Sequence, residues 1–131
     1  MRILVGYDGS ETARRALSHA AELVGSGGTV DVINVITAQP VSARIETLSD
    51  RERSRQRKLL QEAKMILGEW EVRMTPVKAV GDPATEIRSA AEKSGAAIVA
   101  VGRGNGLRRL IHGSVSTRLV RQAPCDVLVV R

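Results

Sequence analysis

Glycines carry most of the chemistry that this sequence offers. Val101-Gly102-Arg103-Gly104-Asn105-Gly106 interrupts an apolar run that starts at Ala96, and Gly113-Ser114 then opens a segment with helical spacing. Strand, glycine loop and helix start is the order in which a parallel α/β protein builds an anion site. Glycines let the backbone approach a phosphate, and the free N–H groups of a helix's first turn face the negative charge. Gly102 and Gly104 are read against a plain alternative, a tight turn after a strand. Arg103 either clamps a phosphate or is merely solvated. Ser114 is an N-cap whose hydroxyl can also touch phosphate, since the other N–H groups of the turn stay available. Val115 and Ser116 belong to the same turn, Ser116 being the weaker candidate.

Other chemistry is sparse. Asp8, in Tyr7-Asp8-Gly9, sits where a first strand ends and suits an Asx turn. His19 and His112 are too few and too far apart for a metal cluster, and no Ser-His-Asp order supports His112 as a base. The lone Cys125 excludes an internal disulfide and a cysteine-rich zinc site, and reads as a small hydrophobe before a strand. No lysine follows the glycines as in a Walker loop, and no general base is placed. The chain is therefore expected to hold no catalytic residues and no protein metal site, and to hydrolyse a bound phosphate ligand slowly at most.

Alternating elements must position these loops. Residues 2–7 read as a strand, and Ser10 caps a helix with Ala13, Ala16, Leu17, Ala20, Ala21 and Val24 on one face. Gly25 to Gly28 ends it. Residues 29–36 form a second strand, and a long helix over about 47–70 presents Leu59, Ala63, Ile66, Leu67 and Trp70 as its apolar stripe. A third strand over 72–80 contains Pro76, which places it at an edge. Asp82 and Pro83 start a third helix that Gly95 closes. Strands over 97–101 and 127–130 flank the last helix, 114–122. The alternation predicts an open five-stranded parallel sheet, Rossmann-like, with helices on both faces and right-handed crossovers. If the order is 3-2-1-4-5, it reverses between strands 1 and 4, where ligands sit in such sheets.

Composition agrees. The 131 residues suit one compact domain, and 43% are hydrophobic although aromatics are only 2% and Phe is absent. Such a core is aliphatic and alanine-rich. No secretory leader and no membrane-length apolar run is apparent, so the cytoplasm is the expected compartment. The net charge of +6 suits anionic ligands. The densest basic run, Arg51, Arg53, Arg55, Arg57 and Lys58, scatters round a helix with no aromatics between, so a nucleic-acid role is not expected.

Val5-Gly6-Tyr7-Asp8-Gly9-Ser10 and the alanine-rich helix after it resemble the opening of the universal stress protein family. Asn34-Val35, Gly81-Asp82-Pro83, Gly113-Ser114-Val115-Ser116 and the closing Ala123-Pro124-Cys125-Asp126-Val127-Leu128-Val129-Val130 extend the resemblance over the whole chain. It implies an adenine nucleotide alpha hydrolase-like fold that binds ATP, with Mg2+ or Mn2+ carried on the phosphates. Tyr7 and Asp8 would lie beside the nucleoside, Asp8 touching ribose or the phosphate-bound metal. Val35, otherwise a core residue, would pack on adenine through backbone and side chain. Gly102, Arg103, Gly104, Gly113, Ser114, Val115 and Ser116 would hold the phosphates. The family's nucleotide binders resemble one another in Gly-x2-Gly-x9-Gly-Ser/Thr, but here one residue separates Gly102 from Gly104 and eight separate Gly104 from Gly113. Either the shorter loop loses the phosphates, leaving a dimeric interaction module that binds no nucleotide, or Gly106 restores an equivalent cradle. The resemblance also implies a homodimer through the last strand, Asp126 to Arg131.

Overall fold

Five strand-like runs, one of them broken by Pro76, pair into a parallel sheet in the computed structural model of the chain, which describes residues 1–37, 50–103 and 115–131. The elements are β1 (Ile3–Gly6), α1 (Glu11–Val24), β2 (Thr29–Thr37), α2 (Asp50–Glu69), β3 (Arg73–Gly81), α3 (Pro83–Ser94), β4 (Ile98–Gly102), α4 (Val115–Gln122) and β5 (Asp126–Val130). Their order across the sheet is β3-β2-β1-β4-β5. This is the expected 3-2-1-4-5 arrangement. Pro76 lies in edge strand β3, opposite Val32, and the pairing with β2 runs through it unbroken, because a missing N–H costs nothing on the side that faces away from the one neighbour.

Side chains alternate between the faces, so each strand feeds two apolar layers. Ile3, Val5, Val30 and Val32 pack with α1 and α2, through Ala16, Leu17, Ala20, Leu60, Ala63 and Leu67. Leu4, Ile33, Val99 and Val101 pack with α3 and α4, through Ala84, Ile87, Ala91 and Leu119. The many alanines let the helices sit close to the sheet.

The helix boundaries follow from caps. Ser10 Oγ accepts from the Ala13 N–H at 3.2 Å and starts α1. Asp82 does the same for α3, accepting from the Thr85 N–H at 3.1 Å, with Pro83 in the first turn. Gly25 and Gly95 end these two helices as expected.

The stripe expected on α2 needs one correction. Ala63 and Leu67 are fully buried, and Leu59 and Ile66 pack from the flanks. Trp70 lies past the end of the helix and is 37% exposed. The buried line is instead Gln56, Leu60, Ala63 and Leu67. Leu59, Ala63, Ile66 and Trp70 share the same spacing of four, three and four residues, so the helix period admits both lines and the packing against the sheet selects the buried one. Among the described residues no helix is long and apolar enough to cross a membrane.

Candidate functional site

The strand order reverses between β1 and β4, so their ends are where an open α/β sheet is expected to form a ligand crevice. These strands are neighbours, with Gly6 paired to Val101. The chain leaves β1 for α1 on one face of the sheet, and α4, which follows β4 in the chain, packs on the other. Chain segments that diverge in this way leave room between them, the general ligand site of open α/β sheets.

On the β1 side, Tyr7-Asp8-Gly9 makes the turn into α1. Asp8 Oδ1 accepts from the Ser10 N–H at 2.9 Å, the expected Asx turn, and the side chain stays exposed at the strand ends. Gly9 takes a φ of +83°, a left-handed conformation that favours glycine. Tyr7 divides its roles. Its ring is buried in the layer beneath α1 and α2, and its hydroxyl donates to Glu62 on α2, which also accepts from Arg14 Nε at 3.1 Å. Burial, then the Glu62 contact, pushes the Tyr7 phenol up to about 12, while the Tyr7 hydrogen bond lowers the Glu62 carboxyl. The main chain of Tyr7 stays at the strand end, where its N–H donates to Ile33 O at 2.9 Å and its carbonyl accepts from Asn34 Nδ2 at 2.8 Å.

On the β4 side, Gly102 lies against the first turn of α1. A Cβ there would stand 2.7 Å from Ala13 N, so no side chain fits without moving backbone. The end of β4 and the start of α1 thus meet at main-chain distance. Arg103 follows, its N–H donating to Val130 O at 2.7 Å and its side chain exposed. Arg103 and the buried Ser116 line one open hollow of about 410 Å³ with Thr117, Val120, Val129 and Arg131. Val115 begins α4 and packs against the layer beneath α3 and α4. Gly104, Gly113, Ser114 and His112 fall outside the described residues.

Val35 stands near the end of β2, partly buried and packed towards α3. Tyr7, Asp8 and Val35 therefore gather at the ends of β1 and β2, while Arg103 and Ser116 gather towards β5. Gly102 lies between the two groups. Below α3, Asp82 also accepts from Arg118 Nη1 at 2.7 Å, which ties α3 to α4. That hydrogen bond, with those from Thr85, holds the Asp82 carboxyl down to about 2.

A further group was not apparent from the sequence. Gln56, in the buried line of α2, donates through Nε2 to Asn34 O at 2.8 Å and to Ala79 O at 3.2 Å. The readable signal was a polar residue in phase with Leu60 and Ala63. Among the described residues no group of three His, Cys, Asp or Glu side chains is placed to hold a metal ion. Among the described residues Asp8 places a carboxylate where β1 ends, which suits a cation that arrives on phosphates and keeps most of its waters.

Comparison with known proteins accounts for this architecture. The model of the universal stress protein family matches residues 1–131. A universal stress protein of Methanocaldococcus jannaschii is 30% identical over 138 residues, covering 99% of this chain and 81% of its own. Among solved structures, the universal stress protein of Archaeoglobus fulgidus in complex with dAMP superposes with a TM-score of 0.79 at 21% identity, over 100% of this chain and 98% of its own. A universal stress protein in complex with cAMP superposes with a TM-score of 0.75 at 24% identity, over 100% and 97%.

Proposed function

The chain belongs to the universal stress protein family, and from that premise we propose that it is a cytoplasmic regulatory protein that binds ATP where β1 and β4 end. The observation that carries this reading is the reversal of strand order between β1 and β4, with Asp8 on one lip and Gly102 on the other. The dAMP and cAMP complexes of proteins with the same fold support an adenine nucleotide as the class of ligand. In this reading Val35 meets the base, Tyr7 through its main chain and Asp8 meet the nucleoside, and Gly102 to Gly104 with Gly113 to Ser116 hold the phosphates. A Mg2+ or Mn2+ ion would come on the phosphates. Hydrolysis is slow or absent, and occupancy of the crevice is the signal.

Calorimetry with ATP and Mg2+ at millimolar concentration tests this. Saturable heat is expected, and Gly113→Val should weaken it by placing a side chain where backbone must approach phosphate. No heat from the parent protein would overturn the reading. It would leave the second reading, a dimeric interaction module with an empty crevice, which the shortened spacing from Gly102 to Gly113 favours.

A further inference from the structure

Gln56 occupies a position that packing alone would give to leucine. The other members of its buried line are Leu60, Ala63 and Leu67, and Gln56 is 6% exposed. A primary amide carries two N–H donors. Both are used on main-chain carbonyls, Asn34 O of β2 and Ala79 O of β3. Asn34, also 6% exposed, repeats the device with its own side chain, donating to Tyr7 O at 2.8 Å.

These bonds come where the ladder between β1 and β2 stops. Tyr7 N–H still donates to Ile33 O, but β1 has ended at Gly6. The next parallel rung would run from the Val35 N–H to the Tyr7 carbonyl. The Asn34 side chain takes that carbonyl instead. In a trans peptide the C=O and N–H point in opposite directions, and the described residues contain no cis peptide bond. Pinning Asn34 O towards Gln56 therefore fixes the direction of the Val35 N–H, and pinning Tyr7 O fixes that of the Asp8 N–H. The two peptides held by buried amides are the two that lead into Val35 and Asp8.

We infer that Gln56 is a positioning residue for base recognition: from beneath α2 it orients the Asn34–Val35 peptide, and through Asn34 the Tyr7–Asp8 peptide, so that an adenine nucleoside meets a preset main-chain edge. This inference rests on the nucleotide-binding reading given above. It assigns Gln56 no contact with the nucleotide. Orientation set in advance raises affinity by reducing the ordering cost of binding, and a preset edge distinguishes bases by the donors and acceptors it presents.

The test compares the parent protein with Gln56→Leu and Gln56→Met, both close in volume to glutamine. Binding of ATP, GTP and inorganic tripolyphosphate is measured by calorimetry, with thermal unfolding as a control. Loss of the two hydrogen bonds should weaken ATP by about ten-fold and narrow the preference for ATP over GTP. Affinity for tripolyphosphate should be unchanged. Variants that match the parent in ATP affinity and in base preference would overturn the inference while leaving ATP binding intact. Equal losses for ATP and tripolyphosphate would overturn it too, because Gln56 would then only support the fold. A parent protein that binds no ATP would overturn the functional reading, and this inference with it. Independently of any variant, 15N relaxation of the free parent protein should show the Gln56 side-chain amide rigid. Mobility like that of the exposed Gln61 would refute the clamp.

Discussion

At the scale of residues, Tyr7 shows how one side chain can belong to the core while its main chain belongs to the crevice. Its ring belongs to the core layer that also holds Ala13, Leu60 and Ala63, and its hydroxyl reaches Glu62. Desolvation of the phenolate and the adjoining carboxylate act in the same direction, so the phenol is raised from 10.0 to about 12. A group raised in this way stabilises the fold fully below the unfolded value and loses its contribution as pH climbs through the folded one. The window here runs from about 10 to about 12. Tyr7 is the one tyrosine of the chain, so phenolate absorbance reads it without interference. The native protein should show phenolate near the upper end of that window, with stability falling across it. Tyr7→Phe should abolish the signal, and phenolate forming near 10 in the native protein would contradict the buried placement. The sequence located this residue at the end of the first strand. It did not reveal the contact with Glu62, because 55 residues separate the two in the chain.

At the scale of elements, α2 combines a buried line with an outward face rich in arginine. Arg51, Arg53, Arg55, Arg57 and Lys58 are all exposed. At about 100° per residue, Arg51, Arg55 and Lys58 share one flank of the helix while Arg53 and Arg57 lie on another. The pairs Arg51/Arg55 and Arg53/Arg57 repel at i,i+4, costing roughly 0.2–0.5 kcal/mol each. Asp50 and Glu52 in the first turn offset part of this through the helix dipole. A split basic face without stacking aromatics attracts polyanions through charge and reads no sequence. Binding to DNA or RNA should therefore be weak, indifferent to sequence and lost at moderate salt. Fluorescence anisotropy with two unrelated oligonucleotides across a salt titration checks it; salt-resistant preference for one of them would be decisive against this expectation. Helical phase by itself puts Ala63 and Leu67 on the inner side of α2, where they are buried. It misplaces Trp70, because the helix stops one residue earlier and the apolar ring falls into the following turn.

At the scale of the whole molecule, β5 closes the sheet at one edge and has one neighbour, β4. Val130 is buried and Leu128 packs inward, whereas Val129 is 37% exposed. An apolar edge with free N–H and C=O groups invites another strand. We propose a homodimer in which Asp126 to Arg131 pairs antiparallel with its copy across a two-fold axis, the self-complementary contact that such symmetry requires. Val129→Pro would remove a donor from that ladder and weaken the pair without emptying the core. Sedimentation equilibrium at micromolar concentration should give twice the mass of one chain for the parent and a shift towards the single-chain mass for the variant. A single-chain mass for the parent would refute the dimer.

Local chemistry in the sequence determined the elements: alternating β-branched runs, Ser10 and Asp82 as caps, Gly95 as a stop and Pro76 as the mark of an edge. Right-handed crossovers then left few sheet orders open, so the place where β1 and β4 part was legible as well. These signals act over a few residues, and a single chain carries them without reference to its fold. Tertiary structure alone decided which buried polar groups meet. Gln56, Asn34 and Ala79 come together because α2 lies across the ends of β2 and β3. Gly102 must be glycine because the end of β4 presses on Ala13. Contacts between segments so far apart in sequence leave no periodic trace, and only packing of the finished sheet and helices selects them.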